Sequence, residues 1–243
     1  MEPRGALAAR NPSRAEFARG VCTSFPVMIG FVPFALVLGA QAARKGFASG
    51  EVLLMTGLNF GGGSEFAAVH LWSSPPPVLL IVAITFLINS RHLLMGAALS
   101  PYLKHLPVKK TLLALFFMCD ESWAMSLADA KRRAAMERSE AFSLAHYMGA
   151  SLGLYLTWVS FTFLGGLLGP AAGNLETYGF DMAFPAVFLV LLKGMWSGVR
   201  AARPWAVSLI AGVIACVALP GAWYVVVGSA AGALSACYLG GRK

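Results

Sequence analysis

The sequence predicts an all-α polytopic membrane protein of about eight transmembrane helices, the first two discontinuous, and three observations carry that prediction. Of the 243 residues, 58% are hydrophobic and 12% charged, with a mean hydropathy of +0.68, whereas an ordinary soluble domain carries about 25% charge. The apolar residues fall in windows of about 20 that lack the polar face of a soluble protein's helix. Two such windows contain helix-breaking stretches. Residues 1–20 read as a cytoplasmic basic N-terminal segment and residues 21–243 as one transmembrane domain, with no soluble domain and no stretch long enough to be one.

The apolar runs place spans near 21–43, 52–72, 78–99, 110–129, 142–168, 183–200, 205–219 and 221–239. The first holds "FPVMIGFVPFALVLG" (25–39), where Pro26 and Pro33 each remove a backbone donor and crowd the preceding turn, so a kinked or unwound helix is expected. The second holds "NFGGGSEF" (59–66). Each glycine weakens a helix by about 1 kcal/mol relative to alanine, and a charge at the bilayer centre costs at least about 2.5–3.5 kcal/mol. Small-residue packing would space glycines four apart, so Gly61, Gly62 and Gly63 predict a true break. Beyond it the N–H groups of Ser64, Glu65 and Phe66 would lie at the positive end of a half-helix, an arrangement that holds anions within membranes. Ser64 also suits an N-cap.

The third span carries "INSRHLL" (88–94), which puts Asn89, Arg91 and His92 at depth, and the fourth carries "MCDESWA" (118–124), with Asp120 and Glu121 near its centre. Adjacent helical residues point about 100° apart, so one of the two acids can face Arg91, and an ion pair within the bundle is expected. Lys193, nearer a membrane face, is expected to snorkel. The last two spans are short and separated only by "LPGAW" (219–223), so they form a tight helical hairpin or one of them is re-entrant, with seven spans as the fallback; proline and glycine in the link favour a turn. "FPVMIGF" (25–31) and "FPAVFLV" (184–190) share only a Phe–Pro start, and no internal repeat is read from them.

The net charge of +8 lies in short loops without the interleaved aromatic residues of a nucleic-acid surface, so the basic residues report topology and no nucleic-acid partner is expected. With eight crossings and both termini cytoplasmic, the inner side collects Arg4, Arg10, Arg14, Arg19, the 131–138 cluster, Arg200, Arg203, Arg242 and Lys243. The outer side collects Arg44, Lys45, Lys104, Lys109 and Lys110, an asymmetry of the expected sign. This arrangement requires the glycine-interrupted segment to cross fully. The cysteines and histidines show no metal, redox or protease spacing, so neither a cofactor nor an enzymatic activity is expected. A passive channel is the rival reading from another class, and the absence of a repeated polar ring or a filter-like loop from the sequence counts against it.

In this order over residues 15–130, "PVMIGFVPFALVLG", "GGGSEFAAV", "INSRH" and "DES" resemble the AzlC family, the large subunit of two-component branched-chain amino acid exporters. That family's pattern is a proline–glycine first span, an "AGASQF"-like break, an "N-x-R-H" and a "T-D-E". Residues 140–243 match only in length and hydropathy. The resemblance implies a multi-pass transporter of the bacterial inner membrane that exports valine, leucine, isoleucine or related amino acids and works with a small AzlD-type membrane subunit. Secondary transport by alternating access is the expected mechanism, with protonation of Glu65 or Glu121 the simplest energy source the residues offer. Joined to the break, it implies a substrate site at Pro33, Phe34, Phe60, Gly61, Gly62, Gly63, Ser64, Glu65 and Phe66, and a polar coupling network of Asn89, Arg91, His92, Asp120 and Glu121. The sequence departs from the family at Glu65, where glutamine is usual, at Gly62 for alanine, Ala35 for glycine and Cys119 for threonine. Glu65 is then either protonated and neutral, or a receptor for the substrate ammonium, or the mark of a different substrate such as a basic amino acid. Gly228, Ala231 and Gly232 offer a small-residue face to the partner subunit or to the chain itself.

Overall fold

The computed structural model describes residues 12–104, 106–136, 142–169, 171, 189, 193, 196, 198–219 and 223–240. Most of the span expected at 183–200, the 184–190 stretch apart from Leu189, Arg138 and both termini lie outside the described residues. Those described form ten helices and no strand: α1 Pro12–Arg44, α2 Ser49–Asn59, α3 Gly63–Leu71, α4 Val78–Asn89, α5 Arg91–Leu103, α6 Val108–Phe116, α7 Asp120–Ala135, α8 Leu144–Leu168, α9 Arg203–Ala218 and α10 Trp223–Gly240. The chain is an all-helical polytopic membrane protein. Three stretches, Ser13–Arg44, Val78–Leu103 and Leu144–Leu168, are each long and apolar enough to cross a bilayer unaided.

The frame is the pair α1 and α8. A Cβ on Gly20 would overlap the His146 carbonyl oxygen, one on Gly39 that of Thr162, one on Gly149 that of Phe17, and one on Gly165 that of Leu36. Four glycines thus let two backbones touch, as small residues do in membranes. The low-numbered ends pair together and the high-numbered ends pair together, so the helices run parallel. The expectation that α1 is discontinuous is corrected here: it is one α-helix through Pro26 and Pro33. The glycine seam holds it against α8 on both sides of the prolines, and membrane helices tolerate proline where a neighbour supports the backbone.

Contacts at the two ends of this frame fix the topology. At one end, the basic end, Arg19 of α1 meets Asp129 of α7, and the rings of Tyr102 and Phe142 stack at 5.4 Å. At the far end, Lys45 Nζ donates to the carbonyls of His70 at 3.2 Å and Trp72 at 3.1 Å, and the Phe47 and Trp72 rings lie 4.5 Å apart. Hence α2 enters from the far end and α3 returns to it. The α4–α5 stretch crosses to the basic end through one joint residue, Ser90, whose φ of −56° and ψ of −24° stay helical. From there α6 rises past Tyr147, whose hydroxyl donates to the Ala114 carbonyl at 2.7 Å, until Phe117 packs on Tyr155 at 4.9 Å near the middle of α8. Helix α7 then descends to the basic end.

The segments expected as the second and fourth crossings are therefore re-entrant hairpins, which corrects the eight-crossing arrangement. Helices α2, α3 and α6, of 11, 9 and 9 residues, span about 14 to 17 Å, half of a roughly 30 Å hydrocarbon core, and α7, of 16 residues, runs from that depth out to the charged basic end. Removing one crossing would have reversed every later loop, but removing one from each side leaves the two ends of α8 where they were. The charges gain from the change. Lys104, Lys109 and Lys110 join Arg19 and Arg133 at the basic end, while Arg44 and Lys45 stay at the far end, a sharper asymmetry than eight crossings produce.

Helices α9 and α10 pack on each other. A Cβ on Gly228 would lie 3.1 Å from the Ser208 carbonyl oxygen, and one on Gly232 would lie 2.9 Å from Ser208 Cβ. The small-residue face of α10 is thus engaged within the chain.

Candidate functional site

The tips of the two hairpins meet at the α4–α5 joint, halfway between the ends. In the first tip, α2 stops after Asn59 because Phe60 turns left-handed, with φ 46° and ψ 39°. Gly62 then takes φ 54° and ψ −91°, a conformation that only glycine adopts without strain. Gly61 is needed for room instead: a Cβ there would overlap Ser64 Oγ and lie 2.8 Å from Asn59 Nδ2 and 2.9 Å from Asn89 Oδ1.

The half-helix terminus is filled by the chain itself, which corrects the expectation of free N–H groups at Ser64, Glu65 and Phe66. Those three N–H groups donate to the carbonyls of Gly61 and Gly62. Gly62, not Ser64, is the N-cap residue of α3, and Ser64 Oγ accepts a hydrogen bond from Asn59 Nδ2 at 3.0 Å. Glu65 is 1% exposed. Its Oε1 accepts the Gly61 N–H at 2.8 Å, and its Oε2 accepts the Trp158 indole N–H at 2.8 Å. Trp158 lies on α8, between Phe31 at 5.6 Å and Phe66 at 6.4 Å. Sequence reasoning missed it. The only signal was an indole N–H within an apolar run, where such a donor needs a partner.

The second tip breaks without glycine. Phe117 lies near the bridge region at φ −83° and ψ 7°, and Cys119 is extended at φ −128° and ψ 172°, the N-cap residue of α7. The Cys119 N–H donates to Ser122 Oγ at 3.1 Å. Asp120 and Glu121 occupy the first turn of α7, where carboxylates complement the helix dipole, rather than the centre of a continuous span.

Between the tips stands Arg91. Its Nη1 pairs with Asp120 Oδ2 at 2.8 Å, with side-chain exposures of 36% and 32%, and its Nη2 donates to the Gly61 carbonyl at 3.4 Å. Asn89 Nδ2 donates to Asn59 Oδ1 at 3.2 Å, and His92 Nδ1 lies 3.2 Å from the Asn89 carbonyl. The structure thus joins Asn59, Gly61, Ser64, Asn89, Arg91, His92 and Asp120 in one polar group, with Asp120 rather than Glu121 taking the arginine. Phe60 and Phe66 are buried in one cluster with Trp158, and Phe34 packs against it. Pro33 is exposed on α1.

A second charged group fixes α7 at the basic end. Asp129 accepts from Arg19 at 2.8 and 2.9 Å, from Arg132 at 2.8 Å and from Arg133 at 2.8 Å, while Glu16 pairs with Arg19 at 2.7 Å and with Arg133.

A family profile described as AzlC protein matches residues 26–171, from within α1 past the end of α8. An uncharacterized membrane protein of Archaeoglobus fulgidus is 32% identical over 192 residues, 77% of this chain and 80% of its own length. Inner membrane protein YgaZ of Escherichia coli is 26% identical over 187 residues, 74% of each chain. The branched-chain amino acid transport protein AzlC of Bacillus subtilis is 24% identical over 182 residues, 75% of this chain and 68% of its own. No solved structure matches.

Proposed function

The chain belongs to the AzlC family, and from that premise we propose that it is a secondary transporter exporting branched-chain or related amino acids across a bacterial inner membrane. The observation that carries this reading is the meeting of two oppositely directed hairpins at an ion pair, Arg91–Asp120. A polar centre capped from each side by a separate re-entrant element can be opened to one side at a time, as alternating access requires. The basic end faces the cytoplasm on the positive-inside rule. The substrate lies at the mouth of the break, against Gly61 and Gly62, with the polar group around Arg91 on one side and the aromatic cluster on the other.

Glu65 serves this site from behind. Both its oxygens already accept hydrogen bonds from the protein, so it pins the first tip to α8, and a basic substrate held directly by Glu65 loses its support. Coupling protons act through Glu121, the carboxyl group of the second tip that Arg91 does not hold. A small AzlD-type subunit completes the transporter and docks elsewhere than the Gly228–Gly232 face, which α9 covers.

The test is counterflow in inverted vesicles carrying this chain with and without a co-expressed small subunit. Saturable exchange of labelled valine, leucine or isoleucine, driven further by an imposed proton gradient, is the expected result. Non-saturating flux would indicate a pore, and exchange of lysine or arginine alone would reassign the substrate.

A further inference from the structure

Two polar atoms where the tips meet are buried without a partner: Nε of Arg91 and Oδ1 of Asn89. They flank Ser90, the one-residue joint between α4 and α5. An unmet buried donor or acceptor costs about 1–3 kcal/mol, and more when charged. Here one is a cationic donor and the other a neutral acceptor.

The remaining nitrogens of Arg91 are unequally held. Nη1 is bound to Asp120 at 2.8 Å, but Nη2 reaches the Gly61 carbonyl at 3.4 Å, longer than an ordinary hydrogen bond. Nε and Nη2 present parallel hydrogens along one edge of the guanidinium, and such an edge takes a carboxylate in a two-bond pair. Asp120 occupies the other side and leaves that edge without a strong partner. The Asn89 side chain is oriented by its Nδ2 bond to Asn59, and its Oδ1 stands beside the first tip, 2.9 Å from where a Cβ on Gly61 would lie.

We propose that the Nε–Nη2 edge of Arg91 receives the α-carboxylate of the substrate and Asn89 Oδ1 its α-ammonium group, so that the α4–α5 joint reads a zwitterionic amino-acid head. This rests on the transport reading above. The alternative seat for a carboxylate, the start of α3, is closed, because the N–H groups of Ser64, Glu65 and Phe66 already donate to the Gly61 and Gly62 carbonyls. The Arg91–Asp120 pair is neutral overall and so is a zwitterion, so binding adds no net charge to the membrane interior. A lone amine or a lone carboxylate would bring an uncompensated charge to a place where that is costly.

The test compares three inhibitors of leucine counterflow: leucine itself, isoamylamine, which lacks the carboxylate, and isocaproate, which lacks the ammonium group. In the wild type leucine should be at least about 10-fold more potent than either. Arg91→Lys keeps a charge for Asp120 and removes the edge, so leucine and isocaproate should weaken on the order of 10- to 100-fold while isoamylamine is unchanged. Asn89→Ala should weaken leucine and isoamylamine and spare isocaproate. Equal losses for all three compounds, or none, would overturn the assignment. The wild-type comparison stands even if a variant fails to fold, because equal potency of isoamylamine or isocaproate and leucine overturns it alone. Leucine counterflow with unaltered potency ratios defeats only this inference, whereas absence of leucine counterflow in the wild type defeats the transport reading and this inference with it.

Discussion

The first hairpin turns on glycine and the second does not. In the first, Gly62 supplies a positive φ and Gly61 supplies room. Its tip is closed, with Glu65 sealed between a backbone N–H and the Trp158 indole, and the Tyr155 hydroxyl donates to the Gly57 carbonyl at 2.7 Å. In the second, Phe117 and Cys119 break the helix in ordinary conformations, the new helix is capped by Cys119 and Ser122, and the tip ends in a partly exposed ion pair. The first tip is anchored to the α1–α8 frame by hydrogen bonds. The second rests on that frame through the Phe117 and Tyr155 rings and is tied to α5, where the Trp123 indole donates to the Met95 carbonyl at 3.1 Å; the tie to α1 is at the far end of α7, through Asp129. The contrast assigns shape to the first hairpin and charge to the second.

The largest effect expected is an all-or-none one, on sidedness. Lys109→Cys and Lys131→Cys should label with an impermeant thiol reagent from one face, and Lys45→Cys and Ser73→Cys from the other. With eight crossings each pair would be split, so opposite labelling within a pair would remove the hairpin that the pair brackets.

Next in size is the contrast between the tips themselves. Gly61→Ala should abolish counterflow and destabilise the protein by about 1–3 kcal/mol, the usual range for overpacking, because the new methyl group meets three polar side-chain atoms. Cys119→Ala, at a position with an extended backbone, should leave most activity. Equal losses from the two changes would erase the distinction.

A smaller effect is expected in the mutant cycle on Arg91→Ala and Asp120→Ala. Thermal stability and transport should be non-additive, with a coupling of about 0.5–3 kcal/mol. Additive losses would mean that the second tip is not held through Asp120.

The smallest shift concerns the seal behind the first tip. Trp158→Phe leaves one Glu65 oxygen without its donor and should cost about 1–3 kcal/mol of thermal stability, with less lost when Glu65→Gln is added than the single changes sum to. A Trp158→Phe protein as stable as wild type would show that the indole bond contributes nothing.

Much of the first hairpin was legible in the sequence, since three glycines before a carboxylate in an apolar run leave few readings. Of the second, only its charge was visible. An Asp–Glu pair behind a capping residue is also a helix-start signal, but within a continuous apolar window it reads as a charge at mid-span. The ion pair of Arg91 with one of the two acids was predictable, because a charge at depth needs a partner.

The sequence by itself determined that the chain is helical and membrane-embedded, where one helix breaks, and which ionisable groups lie at depth, because these follow from local composition and from the energy of placing charge in hydrocarbon. Only the tertiary structure decided that the broken segments turn back instead of crossing, that α1 stays whole through its prolines, and that Glu65 is held between the Gly61 N–H and the α8 indole. Each depends on what packs beside the segment: a glycine seam, an indole N–H, or a lysine reaching two carbonyls. Hydropathy records how deep a segment can lie, and it is silent about the direction from which the chain leaves.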